Sequence, residues 1–358
     1  MIKVLVVDDS ALVRKLLVQV FAAEADFEVE VARDGAQALT LLASFAPDVI
    51  TLDIHMPQMD GLACLDRIMV EKPTPVVMVS TLTADGAEST LEALRMGAVD
   101  FVAKPEGAVS LRIHEVAPDL IAKVRAAASA RLSPSHRLKD RVRHQIGGPL
   151  SVPIRAVRRD AGESVPVVGQ GLVLVGTSTG GPPALEALLT PLPVDFPWPI
   201  LVAQHMPATF TGPLAQRLDR ICALTVVEVS RPIPLDPGHV YVGRGNADII
   251  VSRRAGSLVA LAAPPLANYP WHPSVDRLVT SAMDQTSATQ IVGVLMTGMG
   301  NDGAQAMTRL REQGGRTIAE AEDSAVVWGM PGELVKAGGA DYVEPLGEIA
   351  ARLQMLTP

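Results

Sequence analysis

Three side chains in the second half of the 358-residue chain each stand just past an apolar run. Ser178 follows Leu172–Val175 in LVLVGTSTGG, His205 follows Ile200–Ala203 in PILVAQHMP, and Asp302 follows Ile291–Met296 in IVGVLMTGMGNDG. Short apolar runs of this kind read as buried strands. In an open parallel sheet, residues beyond the strands' carboxyl ends collect along one edge, where ligands bind. A hydroxyl, an imidazole and a carboxylate delivered to that edge are the parts of a nucleophile, its base and the group that orients the base.

The serine has local support. Gly176–Gly180 reads GTSTG, a G-x-S-x-G elbow, and Gly181, Pro182 and Pro183 then open a helical ALEALL. Prolines suit a first helical turn, and a helix N-terminus favours the negative charge of an oxyanion. The same loop would also serve as an anion cradle. Two assignments of the base compete. The chain order of α/β-hydrolases, serine then acid then histidine, would use His272 with Asp236 or Asp248. Asp236, however, sits in the turn-like PLDP, and WHPS at 271–274 has the signature of a helix start rather than a strand end. His205 and Asp302 follow better-defined strands, giving the order Ser178, His205, Asp302. His239 in PGHVYVG is expected to begin a strand. Alone, His205 would ordinarily be structural; its shared placement with Ser178 and Asp302 is what favours it.

A second constellation lies in the first hundred residues. Asp8 and Asp9 end the first apolar run, Asp53 the third, Ser80 the fourth, and Lys104, followed by Pro105, the fifth. Three carboxylates on one edge repel one another unless a hard cation lies among them, and Mg²⁺ takes oxygen ligands. A carboxylate can also accept a phosphoryl group as an acyl phosphate, whose oxygens a lysine and a hydroxyl would hold. Asp8 or Asp9 alone would read as a helix N-cap or a solvated loop residue. The spacing over five consecutive units argues for a site instead.

The elements that must position these groups alternate. Strand-like runs at Ile2–Val7, Phe27–Val31, Val49–Leu52, Val76–Val79 and Val99–Val102 are separated by helical patterns. After the N-cap candidate Ser10, for example, Val13, Leu16, Leu17, Val20 and Phe21 mark one helical face. Five such units predict a parallel sheet covered on both faces. Residues 125–168 differ, with nine basic residues, four prolines and little apolar periodicity. They read as a solvated linker whose first part continues a helix, with a basic docking surface as the alternative. From Gly171 the alternation of strand and helix resumes nearly to the end. The organisation is therefore 1–124, a linker over 125–168, and 169–358.

Composition narrows the classes. Aromatics make up 3% of the chain, too few for stacking nucleic-acid bases. Net charge is −9 over 1–124, +6 over 125–168 and −5 over 169–358, so neither folded part offers a DNA-reading face. Cys64 and Cys222 are too few and too far apart to suggest a disulfide framework. The opening MIKVLVVDDS meets two acids at once, unlike a signal peptide. No apolar run is long enough to span or insert into a bilayer. A soluble, cytoplasmic protein is expected.

The first part closely resembles the receiver domain of two-component response regulators, through VLVVDDS, DVITLDIHMPQMDG, VVMVST and DFVAKP. That resemblance implies a doubly wound (βα)5 fold with phosphorylation of Asp53 by a histidine kinase. It also implies Mg²⁺ at Asp8, Asp9, Asp53 and the backbone carbonyl of His55, an uncommon residue there. Ser80 would be the switch hydroxyl and Lys104 the cation on the phosphate. The second part resembles the catalytic domain of chemotaxis protein-glutamate methylesterases, through GTSTGG, QHMP, PGHVYVG, HPSVD, TGMGNDG and VVWGMP. This implies an α/β domain with a mostly parallel sheet, Ser178 as nucleophile, His205 as base and Asp302 as orienter. The backbone N–H groups of Thr179 and Met299 would be the oxyanion donors. The implied activity is phosphorylation-activated hydrolysis of glutamate methyl esters on methyl-accepting chemotaxis receptors, with deamidation of some receptor glutamines. A chemotaxis histidine kinase would be the phosphodonor, and the ester chemistry itself would need no metal. One departure stands out: where that family commonly reads His-Arg-Pro-Ser, this chain has Trp271-His272-Pro273-Ser274. Rival expectations are a response regulator with a ligand- or nucleic-acid-binding second half, and a hydrolase of small metabolite esters.

Overall fold

The structure, a computed structural model, describes residues 1–81, 83–104, 109–132 and 171–357. The chain divides into two compact units, Met1–Leu150 and Ser151–Pro358.

In the first unit, strands β1 (Ile2–Val7), β2 (Phe27–Ala32), β3 (Val49–Asp53), β4 (Val76–Thr81) and β5 (Asp100–Lys104) alternate with helices. The helices are α1 (Ala11–Ala22), α2 (Gly35–Ser44), α3 (Gly61–Glu71), α4 (Ala84–Met96) and α5 (Val109–Ala128). All strands pair in parallel, in the order β2-β1-β3-β4-β5. With helices on both faces, strands lose the in–out alternation of polar residues, and every residue of β3 is buried. Short polar side chains set the helix starts. Ser10, Asp34 and Asp60 each accept a hydrogen bond from a backbone N–H three residues on. Helix α5 runs to Ala128, into the segment expected to be a linker. From residue 133 to 168 that segment lies outside the described residues.

The second unit is built on seven parallel strands, ordered β15-β14-β13-β6-β7-β10-β8. In chain order the elements are β6 (Leu172–Thr177), α6 (Gly181–Leu189), β7 (Ile200–Gln204), α7 (Ala208–Ile221), β8 (Thr225–Val229), β9 (Ile233–Pro234), β10 (His239–Gly243), β11 (Asp248–Arg254) and β12 (Ser257–Ala263). There follow α8 (Val275–Met283), β13 (Ile291–Leu295), α9 (Ala304–Glu312), β14 (Arg316–Glu320), α10 (Met330–Lys336), β15 (Tyr342–Glu344) and α11 (Leu346–Leu356). Leu174, Leu201, Tyr241, Leu278, Leu295 and Met307 belong to one buried cluster that joins sheet and helices.

The expected alternation of strand and helix fails between Thr225 and Ala263. Five strands follow one another there, and β11, β12 and β9 form a separate antiparallel sheet. The cause is a two-residue hairpin. Ala255 and Gly256 both take positive φ, 48° and 86°, as a type I′ turn requires. Ala-Gly is a far weaker signal for that turn than Asn-Gly. No described helix is long and apolar enough to cross a membrane.

Candidate active site

In the first sheet the strand order reverses between β1 and β3, the place where open α/β sheets leave a crevice at their carboxyl edge. Asp8 and Asp9 directly follow β1, and Asp53 is the last residue of β3. Carboxylate oxygens of the three lie within 4.8 Å of one another. Asp8 and Asp53 are buried and Asp9 is exposed. Lys104, last residue of β5, bridges the buried pair, with Nζ 2.9 Å from Asp8 Oδ2 and 2.8 Å from Asp53 Oδ2. Burial raises the Asp8 carboxyl above its ordinary range; Lys104 opposes the rise and the charge of Asp53 adds to it. Burial would depress the Lys104 ammonium, but Asp53 and Asp8 outweigh it and hold the group above its usual value. Three carboxylates and one ammonium leave two negative charges, the complement of a divalent cation, and an all-oxygen donor set suits Mg²⁺. The Asp8–Asp9 turn is fixed by Arg14, whose Nη1 donates to their carbonyls at 2.7 and 3.0 Å. Ser80 is buried near the end of β4, and its hydroxyl donates to the Gly86 carbonyl at 3.3 Å. His55 lies two residues past Asp53 with its ring exposed.

In the second sheet the order reverses at β6, since β7 lies on one side of it and β13, far later in the chain, on the other. Register then decides which residues meet. Thr177 is paired with Gln204, so Ser178 and His205 are the next pair beyond adjacent strands. The His205 N–H donates to the Thr177 carbonyl at 3.1 Å. On the other flank Gly176 is paired with Leu295, and the Ser178 N–H donates to the Thr297 carbonyl at 3.0 Å. The turn after β13 comes so close that a Cβ on Gly298 would lie 2.7 Å from the Ser178 Cβ. Only glycine fits there. Met299 follows in that turn, and its backbone N–H has no acceptor among the described residues. Thr179 is buried in the elbow before α6.

His205 Nε2 lies 2.8 Å from Asp302 Oδ2. The carboxylate is buried and accepts three further bonds. Val275 N–H reaches Oδ2 at 2.7 Å, while Asp276 N–H and the Ser274 hydroxyl reach Oδ1 at 3.0 and 3.1 Å. The Asp302 carboxylate thus sits on the N-terminus of α8, where the helix dipole favours an anion. Burial alone would raise the Asp302 carboxyl. The bond to His205 and its charge, with the two N–H groups, reverse that and hold it below the ordinary range. Ser178 and His205 are not joined: the Ser178 hydroxyl has no partner among the described residues, and neither does the buried His205 Nδ1. Because the acid occupies Nε2, Nδ1 is the ring atom left to take a proton. Serine–base bonds of unliganded sites commonly tighten only when substrate arrives.

Residues 173–353 match the family model of the CheB methylesterase, and residues 4–114 that of the response regulator receiver domain. The chain is 58% identical over 354 residues to protein-glutamate methylesterase/protein-glutamine glutaminase 2 of Rhodopseudomonas palustris (strain BisB18), covering 98% of this chain and 97% of that one. It belongs to the CheB methylesterase family. Protein-glutamate methylesterase/protein-glutamine glutaminase 3 of Rhodospirillum rubrum is 50% identical over 353 residues, covering 99% and 95%. The crystal structure of the Thermotoga maritima CheB methylesterase catalytic domain covers 53% of this chain and all of its own, at 35% identity and a TM-score of 0.51.

Several groups around this methylesterase-family site escaped sequence reasoning. Gln204 is one. Its Oε1 accepts from the Thr177 hydroxyl at 2.6 Å, and its Nε2 donates to the carbonyls of Ser178 and His205, both at 3.0 Å. It ties Ser178 and His205 together through their carbonyls, and its place beside His205 in QHMP was the available signal. Glu320, buried at the end of β14, accepts the Thr297 N–H at 2.8 Å, while the Thr297 hydroxyl donates to the Thr179 carbonyl at 2.8 Å. Ser274 caps α8, as the WHPS reading expected, and also holds Asp302. His272 does form a His–Asp pair, with Nδ1 2.9 Å from Asp248 Oδ1. Arg277 Nη1 sits 2.5 Å from the other oxygen of that acid, so Asp248 already has a permanent cation. Strand register gives no such adjacency to Ser178 as it gives His205.

Proposed function

We propose that this chain hydrolyses glutamate γ-methyl esters on methyl-accepting chemotaxis receptors, and deamidates some receptor glutamines, under control of phosphorylation at Asp53. The observation that carries the reading is the buried His205–Asp302 bond beside Ser178. Ser178 Oγ attacks the ester carbonyl and gives its proton to His205 Nδ1, while Asp302 holds Nε2 and stabilises the imidazolium. The backbone N–H groups of Thr179 and Met299 receive the oxyanion. Collapse breaks the ester C–O bond, and His205 returns the proton to the departing methanol. Water, deprotonated by His205, then cleaves the acyl-serine ester to leave the receptor glutamate and free Ser178. With a glutamine the leaving group is ammonia.

Residues 1–124 act as the receiver, 125–168 as the linker and 169–358 as the catalytic domain. A chemotaxis histidine kinase supplies the phosphoryl group, and the protein works in the cytoplasm. Asp8, Asp9, Asp53 and the His55 carbonyl would hold Mg²⁺, which when bound offsets the charge of the incoming phosphoryl group. Lys104 then contacts the phosphate on Asp53, and Ser80 reports it as the switch hydroxyl.

Methanol release from methylated receptor membranes, with and without a small phosphodonor, tests the reading. Ser178→Ala should lower it by roughly four orders of magnitude or more. Retention of a tenth of wild-type turnover would mean another nucleophile. His205→Ala should fall nearly as far, whereas His272→Ala should chiefly raise KM; the reverse ranking would move the base to His272.

A further inference from the structure

The ring of Trp271 lies parallel to that of His205, with centroids 5.9 Å apart and 6° between the planes. Nothing in the hydrolytic scheme above uses this residue. The indole also reaches the turn that carries Met299, since a Cβ on Gly300 would lie 2.9 Å from Trp271 Cζ2. It is held from behind its own backbone. Asp248 Oδ1 accepts from His272 at 2.9 Å and from the Ser274 N–H at 2.8 Å, pinning the residues that follow. Trp271 is half-buried, so its other surroundings include solvent.

We propose that Trp271 is a positioning residue for the base: its indole fixes the plane of the His205 ring and stabilises the imidazolium formed when Ser178 gives up its proton. The proposal rests on His205 being that base. Indole is the strongest aromatic partner for a cation, and a centroid separation near 6 Å lies within the range of that attraction. The neutral imidazole of the resting enzyme gains only stacking, whereas the charged ring of the transition state gains the electrostatic part as well. An interaction larger in the transition state than in the ground state raises kcat rather than lowering KM. Of the ionisable groups around the ring, Asp302 faces Nε2, Asp276 of α8 lies next to Asp302, and His272, bonded to Asp248, follows the indole in sequence. None of these is altered by replacing Trp271.

The test uses the full chain carrying Trp271→Phe and Trp271→Leu. Methanol release is followed across pH, and histidine NMR titration is recorded in parallel, with the His205 signal assigned by its loss in His205→Ala. Trp271→Leu should lower kcat roughly 3- to 30-fold with KM little changed, and move the acid limb of the pH–rate profile to lower pH. Trp271→Phe, which keeps a π face, should retain most of the rate and most of the limb's position. The His205 titration should move in the same direction in both variants, more for leucine. Equal losses in the two variants with an unmoved acid limb and titration would reduce the indole to a space-filler and overturn the proposal. A change confined to KM would make it a substrate contact instead, and equally overturn it. If His205→Ala itself keeps its turnover, the assignment of the base fails; an unmoved titration in the Trp271 variants, with His205→Ala inactive, fails the proposal alone. Should the leucine variant not fold, the phenylalanine variant's titration still decides, because folding is judged separately by thermal melting.

Discussion

Ser178 and Asp302 are expected to differ in what they do for the fold, because one hydroxyl is unbonded and the other group accepts four bonds. Ser178→Ala should therefore remove turnover and leave the urea midpoint within experimental scatter. Asp302→Asn should do two things at once. It removes the anion that sets the His205 ring, a loss of about 10⁴-fold in the Ser-His-Asp template. It also turns an amide NH2 toward N–H donors of α8, costing about 1–3 kcal/mol of stability. Equal stability of the two variants would show that the carboxylate does not hold the helix. The Asp302 carboxyl is held low in the fold, so its contribution is fully present above the ordinary carboxylate range and is lost as pH falls below that range, through the depressed folded value. Glu320 has the opposite sign. Burial pushes it up to about 7, although the Thr297 N–H and the Ser324 hydroxyl pull it down. The folded state thus keeps a proton that the unfolded chain releases between about 4.5 and 7, and stability falls as pH rises through that window. The full difference is about 3 kcal/mol. Glu320→Gln can keep an acceptor for the Thr297 N–H, while its amide NH2 can donate to the Ser324 oxygen once that hydroxyl, which donates to Glu320 in the parent, turns to the Ala321 carbonyl. Urea midpoints at pH 5 and pH 8 should lie closer together in this variant than in the parent; an unchanged gap would place the dependence on another group. The part played by Glu320 was not legible in the sequence. A glutamate at the end of a strand carries no sign of what its neighbours will be once β13 lies beside β14.

At the scale of elements, the N-terminus of α8 does two jobs. Ser274 caps the helix through the Arg277 N–H and donates to Asp302. Ser274→Ala should lose about 1 kcal/mol as a missing cap and lower kcat with little change in KM, since the acid loses one of its supports. A stability loss with kcat intact would leave Ser274 as a cap alone. Strand ends were legible because a buried parallel strand is an unbroken apolar run, so its first polar residue marks the edge. Leu172, Ile200 and Ile291 all begin strands where the sequence placed them. The direction in which His205 presents its ring was not legible, since either nitrogen satisfies the same spacing. The hairpin at Ala255 was missed for a related reason: Gly256 suits a positive φ, but nothing in Ala255 announces one. Alanine is strained there, so Ala255→Asn, which tolerates that conformation, should stabilise the chain by about 0.5–1 kcal/mol, read as a higher urea midpoint. A lower midpoint would mean the side chain of asparagine finds no room beside the turn.

For the molecule as a whole, an acyl phosphate site and a hydrolase on one chain make sense if the first restrains the second until it is phosphorylated. Deleting residues 1–124 should then raise basal methanol release. Asp53→Ala should abolish stimulation by a phosphodonor with Mg²⁺ while leaving basal turnover. If the isolated C-terminal part is no faster than the unphosphorylated full chain, phosphorylation activates by some means other than release. The two-part organisation was readable from the change in charge and proline content, and from two separate sets of strand-end residues. The order of strands in the second sheet was not, because it depends on β13 returning past β6. That return has a consequence for synthesis. His205 and Asp302 are 97 positions apart, and the strand that delivers the acid completes the far side of β6. As the ribosome releases the chain, β6 therefore waits as an open edge, apolar along its length and ready to pair wrongly. A product truncated before residue 291 would carry both serine and imidazole and yet be inert, more apt to aggregate than to strip methyl groups without control.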